Sequence, residues 1–201
     1  MKMLRIIYNK MLPSLFWIML LLAFDSVCVT LLTLFAAALH ELGHIAAATI
    51  VLNKSIPLPK AALYGLRIDT GGIISYREEL FIALGGPLAN IFIFFTCLPF
   101  FYLNDYISAF LFINLLTAIS NLLPLRSYDG QRILCCFIAP YVTPYVSETV
   151  THYTCISISS LGCFATLFLI GILGDGYWIF GVFFVTLINE IFVQTKKQVA
   201  L

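Results

Sequence analysis

Residues 11–52 read MLPSLFWIMLLLAFDSVCVTLLTLFAAALHELGHIAAATIVL, and charge or histidine occurs there only at Asp25 and in the group His40, Glu41, His44. A helix crossing a bilayer needs about 20 mostly apolar residues. The stretch is therefore long enough for two spans, with the turn between them near Asp25. Further apolar runs at 80–103, 106–125, 153–173 and 176–193 bring the count to six. The expected fold is an all-α membrane protein with six transmembrane helices, forming a single integral-membrane domain over residues 1–201.

Composition points the same way. Of 201 residues, 61% are hydrophobic and 10% charged, where an ordinary soluble domain carries about 25% charged residues. A water-soluble fold of this size could not hide so much apolar surface, and little length is left for a soluble module beside the spans. The net charge of +1 gives no reason to expect nucleic acid as a partner. The lipid bilayer is the expected surroundings.

The positions of the bases test the span count. Lys2, Arg5 and Lys10 precede span one. Lys54, Lys60, Arg67 and Arg77 fall between spans two and three, Arg126 and Arg132 follow span four, and Lys196 and Lys197 follow span six. All 11 basic residues then lie on one side. The opposite turns carry Asp25, Asp105 and Asp175 and no base. The positive-inside rule makes the basic side cytosolic, with both termini on it. The basic start and apolar run resemble a signal peptide, but Ser26-Val27-Cys28 is a poor cleavage site and the apolar run resumes at once, so the segment reads as a retained span. The six cysteines have no CxxC spacing and read as small buried hydrophobes.

The longest segment outside the spans is 53–79. Leu66-Arg67-Ile68-Asp69 alternates apolar and polar, Thr70-Gly71-Gly72 is a turn signal, and Ile74-Ser75-Tyr76-Arg77 alternates again. This predicts a short β-hairpin between helices two and three, lying in the interface or covered by protein because bare strand edges cannot face lipid. Such a hairpin could pair an edge strand with an extended peptide.

The chemistry lies in His40-Glu41-Leu42-Gly43-His44. On a helix, residues four apart share a face, so both imidazoles can reach one metal ion. Glu41 is offset by one residue and can address water at that metal. Two histidines and a carboxylate inside an apolar span are costly, which marks a functional site; the bland alternative is a polar cluster that glues helices together. His44 lies eight residues before the end of the run, about 12 Å deep at roughly 1.5 Å per residue. A third ligand should therefore come from the cytosolic side, where the acidic residues are Asp69, Glu78, Glu79, Asp129, Glu148 and Glu190.

Asp129 stands out by context, in Asn121-Leu122-Leu123-Pro124-Leu125-Arg126-Ser127-Tyr128-Asp129-Gly130. Pro124 breaks the helix and Gly130 permits a tight turn, which could bring a carboxylate back toward the metal. An ordinary interfacial turn is the alternative. One ligand carboxylate together with Glu41 would bring Zn²⁺ and two neutral imidazoles near neutrality, lowering the cost of burial. His152, just before span five, reads as an interfacial residue.

Three ordered motifs now carry a resemblance. H-E-L-G-H in a span, Gly86-Pro87-Leu88-Ala89-Asn90 in the next, and N-x-x-P-x-x-x-x-D-G at 121–130 resemble the site-2 protease family of intramembrane zinc metalloproteases. Neither a PDZ insertion nor a CBS module is visible, so the resemblance is to the compact branch of the stage IV sporulation proteases that process a pro-sigma factor. It implies one Zn²⁺ per chain, with His40, His44 and Asp129 as ligands and Glu41 as catalytic base. It also implies a substrate-binding or oxyanion-supporting role for Asn90 and Asn121, with Ser120 beside them at a polar opening. Gly85 and Gly86 read as points of close helix approach. Members often continue D-G-G-R, whereas Gln131 follows Gly130 here, which puts inherited substrate preference in doubt.

The activity so implied is hydrolysis of a peptide bond in or near a transmembrane or membrane-associated segment, on the cytosolic side, in a bacterial cytoplasmic membrane. The partners would be a membrane protein substrate and a membrane regulatory protein. Two other readings use the same residues. A catalytically silent homologue would bind membrane partners without metal, and an intact H-E-L-G-H argues against it. A metal transporter would show inverted repeats and ionisable residues in several spans, and neither is found in the sequence.

Overall fold

The structure, a computed structural model, describes residues 27–53, 60–62, 65–67, 74–126, 128–174 and 177–199. In chain order these form α1 (Val27–Leu52), β1 (Lys60–Ala62), β2 (Gly65–Arg67), α2 (Tyr76–Cys97) continued by a 3-10 turn (Leu98–Phe100), α3 (Asp105–Leu122), α4 (Asp129–Ile138), α5 (Pro144–Leu173) and α6 (Tyr177–Val199).

The expected six spans are corrected. Among the described residues four helices are long and apolar enough to cross a bilayer: Val27–Leu52, Tyr76–Phe100, Asp105–Leu122 and Pro144–Ile172. Within α6 the described apolar stretch is Ile179–Ile191. The segment expected to form span one lies outside the described residues.

The hairpin expected across Gly71-Gly72 is corrected as well. Ile74 and Ser75 are not strand, and Tyr76 and Arg77 open α2. Ser75 is its N-cap. The Ser75 side chain accepts from the Glu78 amide at 3.3 Å, and the Glu78 carboxylate accepts from the Ser75 amide at 2.7 Å. This reciprocal capping box satisfies two donors that a helix start leaves open. The strand pairing that is described is a three-residue ladder further upstream, with Lys60 opposite Arg67 and Ala62 opposite Gly65.

Burial is inverted relative to a soluble protein. Phe92 and Phe164 are 71% and 73% exposed, while Asn90, Asn114 and Glu190 are wholly buried. Apolar rings outside and polar groups inside suit a lipid solvent, in which polar side chains must find protein partners. The chain is an integral membrane protein.

It divides into two compact units, Met1–Asn121 and Leu122–Leu201. In the first, α1 and α2 pack most extensively. A Cβ on Gly43 would meet Ala89 Cβ at 2.6 Å, and one on Gly85 would meet the Gly43 carbonyl oxygen and Ala47 Cβ, each at 2.6 Å. Small residues four apart on both helices thus bring the two backbones together, the usual device where lipid supplies no hydrophobic drive. Gly85 acts as the sequence predicts. Phe35 and Phe110 stack at 5.7 Å and tie α1 to α3.

In the second unit, α4 is followed by the long α5 and then α6. Thr143 caps α5 ahead of Pro144, and Gly174 ends it at φ 70°, a left-handed conformation that favours glycine. The ring of Phe183 fills the space where Gly162 has no side chain, so α5 and α6 also approach closely. All six cysteines are free, with Cys136 and Cys155 buried.

Candidate functional site

On α1 the buried residues Ala36, His40, His44 and Ala48 recur every four positions and form one stripe. The rest of the helix turns Leu31, Phe35, Leu42 and Ile50 outward. The two imidazoles therefore point into protein from consecutive turns, edge to face, with planes 86° apart.

Their tautomers follow from what lies behind them. His44 Nδ1 is 2.7 Å from the Ile82 carbonyl oxygen. A carbonyl can only accept, so Nδ1 carries the hydrogen. The Gly86 amide also approaches this nitrogen, at 3.2 Å, but the hydrogen directed at Ile82 makes that a close approach and not a second bond. For His40 the argument passes through Asn90. The Asn90 Nδ2 group donates to the Ala36 carbonyl at 3.2 Å and to Asn114 Oδ1 at 2.8 Å. Because the Ala36 carbonyl can only accept, the amide orientation is fixed, and Oδ1 is the atom 2.7 Å from His40 Nδ1. His40 Nδ1 therefore donates as well. Asn114 is held in turn by its own bond to the Phe110 carbonyl at 2.8 Å.

Both rings are thus left with Nε2 as the lone-pair nitrogen, and the two Nε2 atoms lie 3.2 Å apart. Two lone pairs so aimed repel each other unless a cation lies between them. Zinc–imidazole bonds of about 2.0–2.1 Å in tetrahedral geometry place two ligand nitrogens about 3.3 Å apart. The pair therefore fits such an ion. Gly86 supplies the space: a Cβ there would stand 2.6 Å from His40 Nε2 and closer still to His44 Nε2. Gly86, expected to allow close helix approach, also keeps the space beside both Nε2 atoms clear.

The other predicted residues are placed as follows. Glu41 is half-buried on α1, about 100° around the helix from His40. Asn90 stands behind His40, with both N–H donors engaged. Asn121 and Ser120 each return a side-chain bond to the Thr117 carbonyl, at 2.9 and 3.1 Å. In the second unit Asp129 is the first residue of α4 and is buried. A carboxylate is favoured there by the helix dipole, and Arg132 one turn on lies 3.4 Å from it. Gly130 is required by packing, since a Cβ would collide with the Leu122 and Leu123 carbonyl oxygens.

Two groups went unread in the sequence. Asn114 carried no motif. His152, expected at the interface, is buried and 2.7 Å from the carboxylate of Glu190.

No protein-family model matches the sequence, and no curated protein matches it. A solved structure does match: the site-2 protease from Methanocaldococcus jannaschii, at 22% identity and a TM-score of 0.57, covering 90% of this chain and 85% of that one. The chain has the site-2 protease fold. Nothing in this likeness singles out the sporulation branch.

Proposed function

We propose that the chain is an intramembrane zinc endopeptidase that cleaves a membrane-embedded or membrane-associated substrate on the cytosolic side. The observation that carries this reading is the pair of Nδ1-anchored imidazoles on a transmembrane helix, with their Nε2 atoms 3.2 Å apart and a glycine in front of them. The site-2 protease fold supports the same reaction class.

His40 and His44 would hold the ion, with Asp129, the carboxylate that the motif resemblance implies, as third ligand. When bound, zinc would polarise a peptide carbonyl and acidify water in its open position. The chain's own residues then have separate tasks. Glu41 takes a proton from water and returns it to the leaving amine. Asn90, with Asn114 behind it, keeps His40 in the tautomer that offers Nε2, as partners of metal-bound histidines commonly do. This replaces the oxyanion role expected for Asn90, since an oxyanion would have to compete for donors already in use. The small-residue seam of Gly43, Ala47, Gly85 and Ala89 holds α1 and α2 in register, so that Ile82 and Asn90 stay behind the rings. A helical substrate has its carbonyls already hydrogen-bonded, and it must unwind before cleavage.

Glu41→Gln tests the assignment. It should keep zinc while lowering cleavage of a membrane substrate by about 10²–10⁴-fold, the range for loss of a positioned general base. A zinc-loaded variant that cleaves at the wild-type rate would refute the role of Glu41. A zinc-loaded wild type that cleaves no membrane substrate would point to a silent homologue.

A further inference from the structure

We propose that Glu190 is a positioning residue for Asp129, acting through Arg126; the inference rests on the reading of Asp129 as a metal ligand. Glu190 is wholly buried, in the apolar stretch of α6. Its carboxylate accepts from Arg126 Nε in a short ion pair, from Arg126 Nη2 at 3.4 Å, and from His152 Nδ1 at 2.7 Å. Arg126 is held a second time through its backbone, whose N–H donates to Cys155 Sγ at 3.3 Å. His152 and Cys155 lie three apart on one face of α5. One residue is thus gripped by two helices, through its side chain and its main chain.

That residue stands three positions before Asp129, and the described residues on either side of the step are held in place. Leu125, just before it, is 1% exposed. The amides of Leu125, Tyr128 and Gln131 donate in turn to the carbonyls of Leu123, Leu125 and Tyr128, at 2.7, 3.1 and 3.2 Å. Gly130 is seated against the carbonyls of Leu122 and Leu123. A rotation of Arg126 would therefore be passed along the turn to the first residue of α4, which is Asp129.

Cohesion of α5 with α6 does not account for such a group. A buried ion network is a poor source of stability, and apolar residues of similar volume often do as well. Gly162 already lets the Phe183 ring pack between the two helices. What the network adds is direction: a planar guanidinium forked on one carboxylate fixes angle as well as distance.

The test is zinc affinity, measured by chelator competition on the purified full-length chain in detergent, with thermal unfolding of the metal-free protein as the folding check. Glu190→Gln and Arg126→Lys should each weaken zinc binding about tenfold, at the lower end for outer partners of metal ligands. In an Asp129→Asn background, whose neutral amide oxygen is a much weaker zinc donor, Glu190→Gln should weaken it markedly less. A purely structural role would lower affinity equally in both backgrounds, and that result would overturn the proposal. So would wild-type zinc affinity in a folded Glu190→Gln protein. Should that variant not fold, Arg126→Lys alone and in the Asp129→Asn background decides by the same comparison. Failure of the wild type itself to bind zinc would overturn the ligand set, and this inference with it.

Discussion

Gly86→Ala probes the site without touching a proposed ligand. A methyl group there would stand 2.6 Å from His40 Nε2 and 2.7 Å from His40 Cε1, and would overlap His44 Nε2. Either the rings swing away or α2 backs off from α1. Swinging both rings forfeits the bonds to Asn90 and Ile82, at about 1 kcal/mol each. Backing off by about 0.8 Å forfeits a quarter to a half of the dispersion along the Gly43–Gly85 seam, where contacts are worth about 0.1–0.2 kcal/mol per atom pair. Restoring a zinc-competent geometry should therefore cost about 2–4 kcal/mol, which corresponds to about 30- to 1,000-fold in affinity. The assay is zinc affinity by chelator competition, alongside thermal unfolding of the metal-free protein. Gly171→Ala is the control, since nothing lies within 4 Å of a Cβ there, and it should bind zinc as the wild type does. A folded Gly86→Ala protein with wild-type zinc affinity would refute the geometry on which the metal reading rests.

Asn90→Ala removes the acceptor that holds His40 Nδ1, and should weaken zinc binding by about 10- to 100-fold. Asn114→Ala should act in the same direction but more weakly, because it touches His40 only through Asn90; a larger effect than that of Asn90→Ala would contradict the order of the chain. Ser75→Ala breaks the capping box and should destabilise α2 by about 1 kcal/mol, read as a lower unfolding midpoint with zinc affinity unchanged. A change in zinc affinity there would mean that the start of α2 is coupled to the histidines.

What the sequence made legible was local. His40 and His44 four apart, in a run with almost no other charge, announced a buried stripe, and the helix carries them as one. Gly130 and Pro124 announced a sharp turn ahead of Asp129. The hairpin failed because two local signals competed. The Gly71-Gly72 turn signal competes with Ser75-x-x-Glu78, a helix start by its hydrogen bonds. Hydropathy alone does not reveal that Glu190 of α6 is buried against Arg126 and His152. Asn114 and the Arg126–Glu190–His152 group were beyond reading, since their partners lie 24 to 64 residues apart in sequence and neither follows a helical or strand period.

The central claim is that one zinc ion, held by His40, His44 and Asp129, cleaves peptide bonds inside the membrane. Metal content of the purified wild type and of Asp129→Ala, each paired with cleavage of a model membrane substrate, tests it most directly. The expected result is about one zinc per chain in the wild type, as for a single three-ligand site, with metal and cleavage lost together in the variant. A wild type that holds no zinc and cleaves nothing, even after zinc is added back, would contradict it.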